Sequence, residues 1–209
     1  LFMISGAVTA CLLKNGTHLK FVKHRSARLL LPLLCGVIFI IPPQSYFEVT
    51  QKFEYASDYA EFLRLYYTGY HGFCGTGRCL ILPTWNHLWF LPYLWVYTML
   101  ACTVTTLRPP IWTETSQLAE RVLRGWGLLL IPMAWIFFLR LTLFERYPST
   151  HALWGDVFNH GIYLTMFFIG ATLTSNNTLW ARLARMRWPA LFLAGWIMAG
   201  SGCNTGAAT

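Results

Sequence analysis

The sequence predicts an all-α, polytopic transmembrane helical bundle, and three observations carry that prediction. Hydrophobic residues make up 56% of the 209-residue chain and charged residues 11%, against roughly 25% charged in soluble domains. Aromatic residues reach 17%, with ten Trp, ten Tyr and fifteen Phe, and amphipathic aromatics gather where a bilayer meets water. Long apolar runs recur as Leu1–Leu13, Ala27–Pro43, His87–Thr106, Val122–Leu139, Val157–Thr174 and Trp188–Gly202. A helix needs about 20 mostly apolar residues to cross roughly 30 Å of hydrocarbon. About six spans are therefore expected, and the middle four runs are long enough when flanking residues snorkel. The first run is short, without an initiator Met or a basic leader, and reads as the second half of a span. The last dissolves into SGCNTGAAT. Residues 1–209 are thus expected to form a partial membrane domain whose first and last spans are incomplete.

Basic residues orient the spans. Lys14, Lys20, Lys23, Arg25, Arg28, then Arg108, Arg121, Arg124, then Arg182, Arg185 and Arg187 fall in alternate loops; the intervening loops hold only Lys52, Arg64, Arg78, Arg140 and Arg146. By the positive-inside rule the richer set faces the cytoplasm. The net charge of +8 therefore serves membrane orientation. Nucleic acid is not an expected partner, because the basic residues are spread among loops instead of sharing one face.

The outer connection 44–86 carries its own signal. Polar Thr50, Glu54, Ser57, Asp58, Glu61, Arg64 and Thr68 recur at helical spacing opposite Phe53, Tyr59, Phe62, Leu63 and Tyr66. This pattern predicts an amphipathic helix over Val49–Thr68, either lying in the outer interface or folded over the mouth of the bundle. Cys74 and Cys79, in GFCGTGRC, fall on the oxidising side, where a short Gly-containing turn brings a disulfide within reach. Cys11, Cys35, Cys102 and Cys203 lie in or near spans and read as small apolar fillers. No CxxC pair and no HExxH occurs, so no metal site is expected.

Polar and helix-breaking residues inside the spans are the functional candidates. Pro32, Pro92 and Pro132 each remove a backbone donor, which signals either packing kinks or a pocketed bundle. In GDVFNHGIYL, residues Asp156, Asn159, His160 and Tyr163 share one helical face. A carboxylate one turn before a His can orient an imidazole for general-base work; the plainer alternative is a helix cap followed by an interhelical hydrogen bond. His87 in NHLWFL raises the same choice at an interface. In KHRSARLLLPLL, Arg25 and Arg28 lie three residues apart on one face at the start of a span. They anchor that helix, and their planar guanidinium forks are also suited to paired phosphate groups.

The passages ISGAVTACLLKNG, KHRSARLLLPLLCGVIFIIPPQSYFE, NHLWFLPYLWVYT and DVFNHGIYLTMFFIGATL resemble, in order and spacing, the acyltransferase 3 family of integral membrane enzymes. Within it the glucan-biosynthesis protein C branch, which acylates periplasmic glucans, is most similar. The resemblance implies a multi-pass protein of the bacterial inner membrane. It implies an acyl-CoA co-substrate, with Arg25 and Arg28 as an RxxR motif facing it, and a glycan or other hydroxyl acceptor on the outer side. Membrane lipids are the remaining expected partners, and no bound cofactor is implied. The family's catalytic His lies on its first spanning helix, to which no residue here corresponds, so the catalytic residue stays unassigned. Asp156, Asn159, His160, Tyr163 and His87 are the acceptor-side candidates. A transporter or flippase for a polar lipid or sugar is the alternative, although the internal repeats common in transporters are not evident. A non-catalytic membrane subunit would leave the Asp156–His160 face without a purpose.

Overall fold

The proline pair Pro42–Pro43 marks the expected end of the second apolar run, yet the helix does not stop there. The structure, a computed structural model, describes residues 1–15, 17–53, 55–75, 78–80, 82–123, 125–144, 153, 155–174 and 176–202. For residues 15, 74, 75, 78, 79, 177, 190 and 193–202 the backbone alone is described. Two compact units result, one of Gly16–Thr103 with Ser149–Asp156, the other of Leu1–Asn15, Val104–Pro148 and Val157–Thr209.

In the first unit, α2 (His18–Cys35), a π-helical turn (Gly36–Ile40) and α3 (Ile41–Phe53) run on as one helical stretch of 36 residues. The π-turn is what admits the prolines. The Ile41 N–H donates to the Gly36 carbonyl five residues back; the next two donors in that ladder would come from Pro42 and Pro43, which have no N–H. The carbonyls of Val37 and Ile38 are thereby released. Both are recovered by α4 (Tyr59–Thr68): the Tyr66 hydroxyl donates to Val37 O at 3.0 Å and the Tyr67 hydroxyl to Ile38 O at 2.7 Å. Unsatisfied carbonyls in an apolar surround are costly, so two consecutive tyrosines replace two donors that two consecutive prolines lack.

Where one helix is expected over Val49–Thr68, there are two. α3 ends at Phe53 and α4 begins at Tyr59 after Asp58. The break turns the apolar face of α4 inward, so that Phe62 and Tyr66 are fully buried with Ile41, Val49, Phe73 and Leu82. α4 is thus folded back onto the helix before it. Gly69, at φ +74°, ends α4 in the left-handed conformation that glycine adopts without strain. A small antiparallel hairpin follows, β1 (Phe73–Gly75) with β2 (Arg78–Leu80), which holds the only strands among the described residues. A 3₁₀ turn at Asn86–Leu88 leads into α5 (Phe90–Leu107).

The second unit holds α1 (Phe2–Asn15), α6 (Ile111–Val122), α7 (Gly127–Leu143), α8 (Val157–Thr174) and α9 (Asn177–Gly202). α1 and α8 touch at backbone distance. A Cβ added at Gly6 would overlap the Phe167 carbonyl, and one at Gly170 would overlap the Met3 carbonyl. Small residues permit such approach where apolar lipid supplies no hydrophobic drive between helices. Phe2 and Tyr163 stack with centroids 4.5 Å apart. α7 ties to α8 through Trp135 Nε1, which donates to Thr165 Oγ1 at 3.1 Å.

The amphipathic helix α6 occupies what the run count treats as a turn. Pro109 and Pro110 end α5, and the Trp112 indole N–H donates to Thr105 Oγ1 at 2.8 Å across that corner. Three stretches are long and apolar enough to cross a membrane: His18–Phe53, Asn86–Leu107 and Val157–Thr174. A fourth is reached if α6 and α7 are taken as one broken span, and Phe2–Lys14 is a shorter apolar helix. The helical bundle expected from composition is the fold observed.

Candidate functional site

α2 and α5 run antiparallel, and two polar contacts set their register. The Trp95 indole N–H donates to Ser26 Oγ at 3.0 Å, and Cys102 Sγ lies 3.9 Å from His18 Nδ1. Cys102 is therefore more than apolar filler. This register carries Arg25 and Arg28 seven and ten residues beyond His18, about 10–15 Å along the helix axis. Arg25 is half-buried and Arg28 exposed, with Ser26 between them held by Trp95. Lys23 and His24, directly before the pair, are exposed. The pair thus combines one sheltered guanidinium with one accessible one, on neighbouring turns.

Asp156 stands on the other side of α5. Its side chain is fully buried, and Oδ2 accepts a hydrogen bond from the Tyr93 hydroxyl at 3.0 Å. Tyr93 and Trp95 are two residues apart, hence about 200° apart around the helix and about 3 Å along it. The arginine face and the buried carboxylate therefore sit at nearly the same level of α5 and on opposite sides. Tyr93 belongs to a ladder of rings, edge-to-face with Trp89 at 5.9 Å and with Tyr97 at 6.2 Å. It is the partner that sequence reasoning missed, although Trp89, Tyr93 and Tyr97 recur every four residues, the spacing of a buried helix face.

In the other unit, Asn159 is buried on α8, with His160 and Tyr163 half-buried beside it. Of the helical face expected to hold Asp156, Asn159, His160 and Tyr163, the last three lie on α8, while Asp156 stands just before its first residue, Val157, and is held instead by Tyr93. His87 is exposed on its 3₁₀ turn. Among the described residues no group of three His, Cys, Asp or Glu side chains is arranged to hold a metal ion.

Cys74 and Cys79 are direct Cα partners in the hairpin, one pair outside Gly75 and Arg78; their side chains lie outside the described residues. Two residues separate Gly75 from Arg78, so that pair closes a two-residue loop. Alternation along an antiparallel ladder makes the next pair non-hydrogen-bonded, with Cα atoms about 4.5 Å apart, inside the usual disulfide range. We propose that the two are bridged. Thiol labelling in intact membranes should modify Cys74 and Cys79 only after reduction, and labelling of both without reductant would refute the bridge.

The chain matches the family model described as an acyltransferase domain, acyltransferase 3, over residues 1–207. It belongs to that family. No curated protein and no solved structure matches the chain. The acyltransferase is accordingly an integral membrane enzyme, one that transfers groups other than amino-acyl groups. Within this acyltransferase the phrase KHRSARLLLPLL lies in the first unit, whereas DVFNHGIYL is divided, Asp156 falling in the first unit and Asn159, His160 and Tyr163 in the second.

Proposed function

We propose that the acyltransferase moves an acyl group from a cytoplasmic acyl-CoA-type donor to a hydroxyl of a glycan or other acceptor on the outer side of the bacterial inner membrane. The observation that carries this reading is the arginine pair, set 10–15 Å along α2 from His18, about the depth of Trp95. An orientation anchor needs only to lie at a membrane edge. A partly desolvated guanidinium three residues from an accessible one suits two linked phosphates, because hydrogen bonds to charged groups strengthen as water is excluded. In the reaction an acceptor hydroxyl oxygen attacks the thioester carbonyl; the C–O bond forms, the C–S bond breaks, and the proton lost by the hydroxyl ends on the departing CoA sulfur. Arg25 and Arg28 hold the phosphates and so place the thioester. Asn159, His160 and Tyr163 serve the acceptor side. Glucan is one such acceptor, in keeping with the branch that the sequence phrases resemble.

The decisive test is Arg25→Lys with Arg28→Lys. Lysine keeps the charge that orients the helix and loses the planar fork. A hydrogen bond to a charged group contributes roughly 1.5–3 kcal/mol, so acyl-CoA binding should weaken about tenfold or more while insertion and topology stay unchanged. Binding equal to the parent would reduce the pair to anchors.

A further inference from the structure

The second unit contains an open apolar cavity of about 660 Å³ walled by α6, α7, α8 and α9, well within the roughly 300–1,000 Å³ typical of small-molecule sites. Leu118, Val122, Leu129, Met133, Ile169 and Leu183 are among its walls, and Leu118, Val122 and Met133 remain more than half exposed. Water gains little from such a lining, whereas a hydrocarbon chain fills it without loss.

Arginines adjoin the cavity's lining residues. Val122 and Leu183 line it, and the residues directly before them are Arg121 and Arg182. Those two arginines bound a polar recess with Gln117 and Glu120, and Arg182 also bounds a second recess with Arg185 and Trp126. Glu120 pairs with Arg182. Its Oε1 lies 3.4 Å from Arg182, and its carboxylate also accepts from Asn176 Nδ2 at 2.7 Å and Thr178 Oγ1 at 2.8 Å. Among the described residues, Arg121 and Arg185 have no carboxylate partner. Trp126, exposed at the same rim, is the side chain that favours the headgroup level of a bilayer.

We propose that this cavity and its rim hold one anionic phospholipid, its acyl chain among the apolar walls and its phosphate between Arg121, Arg182 and Arg185. The charge argument selects the lipid. Two uncompensated guanidinium groups favour a headgroup with net negative charge over a zwitterionic one, and the adjoining apolar volume requires a tail that a soluble phosphate lacks. This site lies apart from the sequence of Arg25 and Arg28 and does not depend on the acyl-transfer reading.

Native mass spectrometry of the purified chain equilibrated with equal phosphatidylglycerol and phosphatidylcholine tests the proposal. Phosphatidylglycerol should be retained preferentially. Arg121→Gln with Arg185→Gln, both at exposed positions, should lower that retention roughly fivefold per arginine, about 25-fold together. Ile169→Trp, which fills the cavity, should lower retention of both lipids. Arg25→Lys with Arg28→Lys should leave retention unchanged, which separates this site from the donor site. Equal retention of the two lipids, or retention indifferent to the Gln pair, would overturn the proposal. Displacement of the lipid by an equal concentration of free coenzyme A or glycerol phosphate would overturn it too, because the site would then be one for soluble phosphates.

Discussion

Gly170→Ala and Gly6→Ala should each destabilise the acyltransferase by roughly 3 kcal/mol or more, at the top of the range for overpacking. The sign is informative because local propensity points the other way. In a helix interior, Ala is favoured over Gly by up to about 1 kcal/mol. Here the added methyl meets backbone: the Met3 carbonyl for Gly170, the Phe167 carbonyl for Gly6. A carbonyl on a facing helix cannot rotate away as a side chain does, so α1 and α8 must separate. Separation would also disturb the Phe2–Tyr163 stack and the neighbouring Asn159–His160 face. Gly161→Ala is the matched control on the same helix, because its methyl would meet only the Leu139 side chain, at 3.3 Å. Thermal unfolding in detergent should place Gly161→Ala close to the parent and the other two far below it. Equal midpoints for all three would show that α1 and α8 tolerate a wider spacing than the contact implies.

Tyr66→Phe together with Tyr67→Phe should cost about 1–3 kcal/mol for each carbonyl left unsatisfied. Tyr66 should carry the larger share, since it is fully buried and Tyr67 is more than half exposed. The same phenol predicts an alkaline signature. Burial first, and then the neighbouring Tyr67, push the Tyr66 hydroxyl up to about 12 from an ordinary 10.0. A raised folded-state value means that the neutral phenol is favoured in the native protein. Its contribution to stability is complete below pH 10 and is lost as pH rises from 10 through about 12. Ultraviolet titration should therefore show one late-ionising tyrosine in the parent, absent in Tyr66→Phe. If all tyrosines ionise together near pH 10, the Tyr66–Val37 bond is not made in the native membrane protein.

Composition and run length were enough to read the helical class, because excluding water from a bilayer leaves the backbone few ways to satisfy itself. The Arg25–Arg28 spacing and the face of Asn159, His160 and Tyr163 were equally legible, since helical period alone places them. The elements misread turn on exceptions to single-residue rules. Pro42 and Pro43 look like a stop, and only the π-turn before them and the tyrosines twenty-odd residues later let the helix continue. α6 hides between Pro110 and Arg124 because its polar residues suggest a loop until the Trp112–Thr105 contact is seen. Asp156 is visible as a polar residue in an apolar setting, but its partner Tyr93 lies 63 residues away. No local pattern connects the two.

The unbroken run from His18 to Phe53 has a mechanical consequence. Its 36 residues extend about 54 Å at 1.5 Å per residue, against roughly 30 Å of hydrocarbon. The stretch therefore outruns the hydrocarbon layer by about 20 Å, as a mast does its deck, with Tyr66 and Tyr67 fastening α4 to its side at Val37 and Ile38. A mast turns small rotations of its buried half into larger sideways travel at its tip: a 10° tilt shifts a point 20 Å out by roughly 3–4 Å. Because the same helical stretch carries Arg25 and Arg28 ahead of that contact, any tilt of the stretch moves the arginines and α4 together.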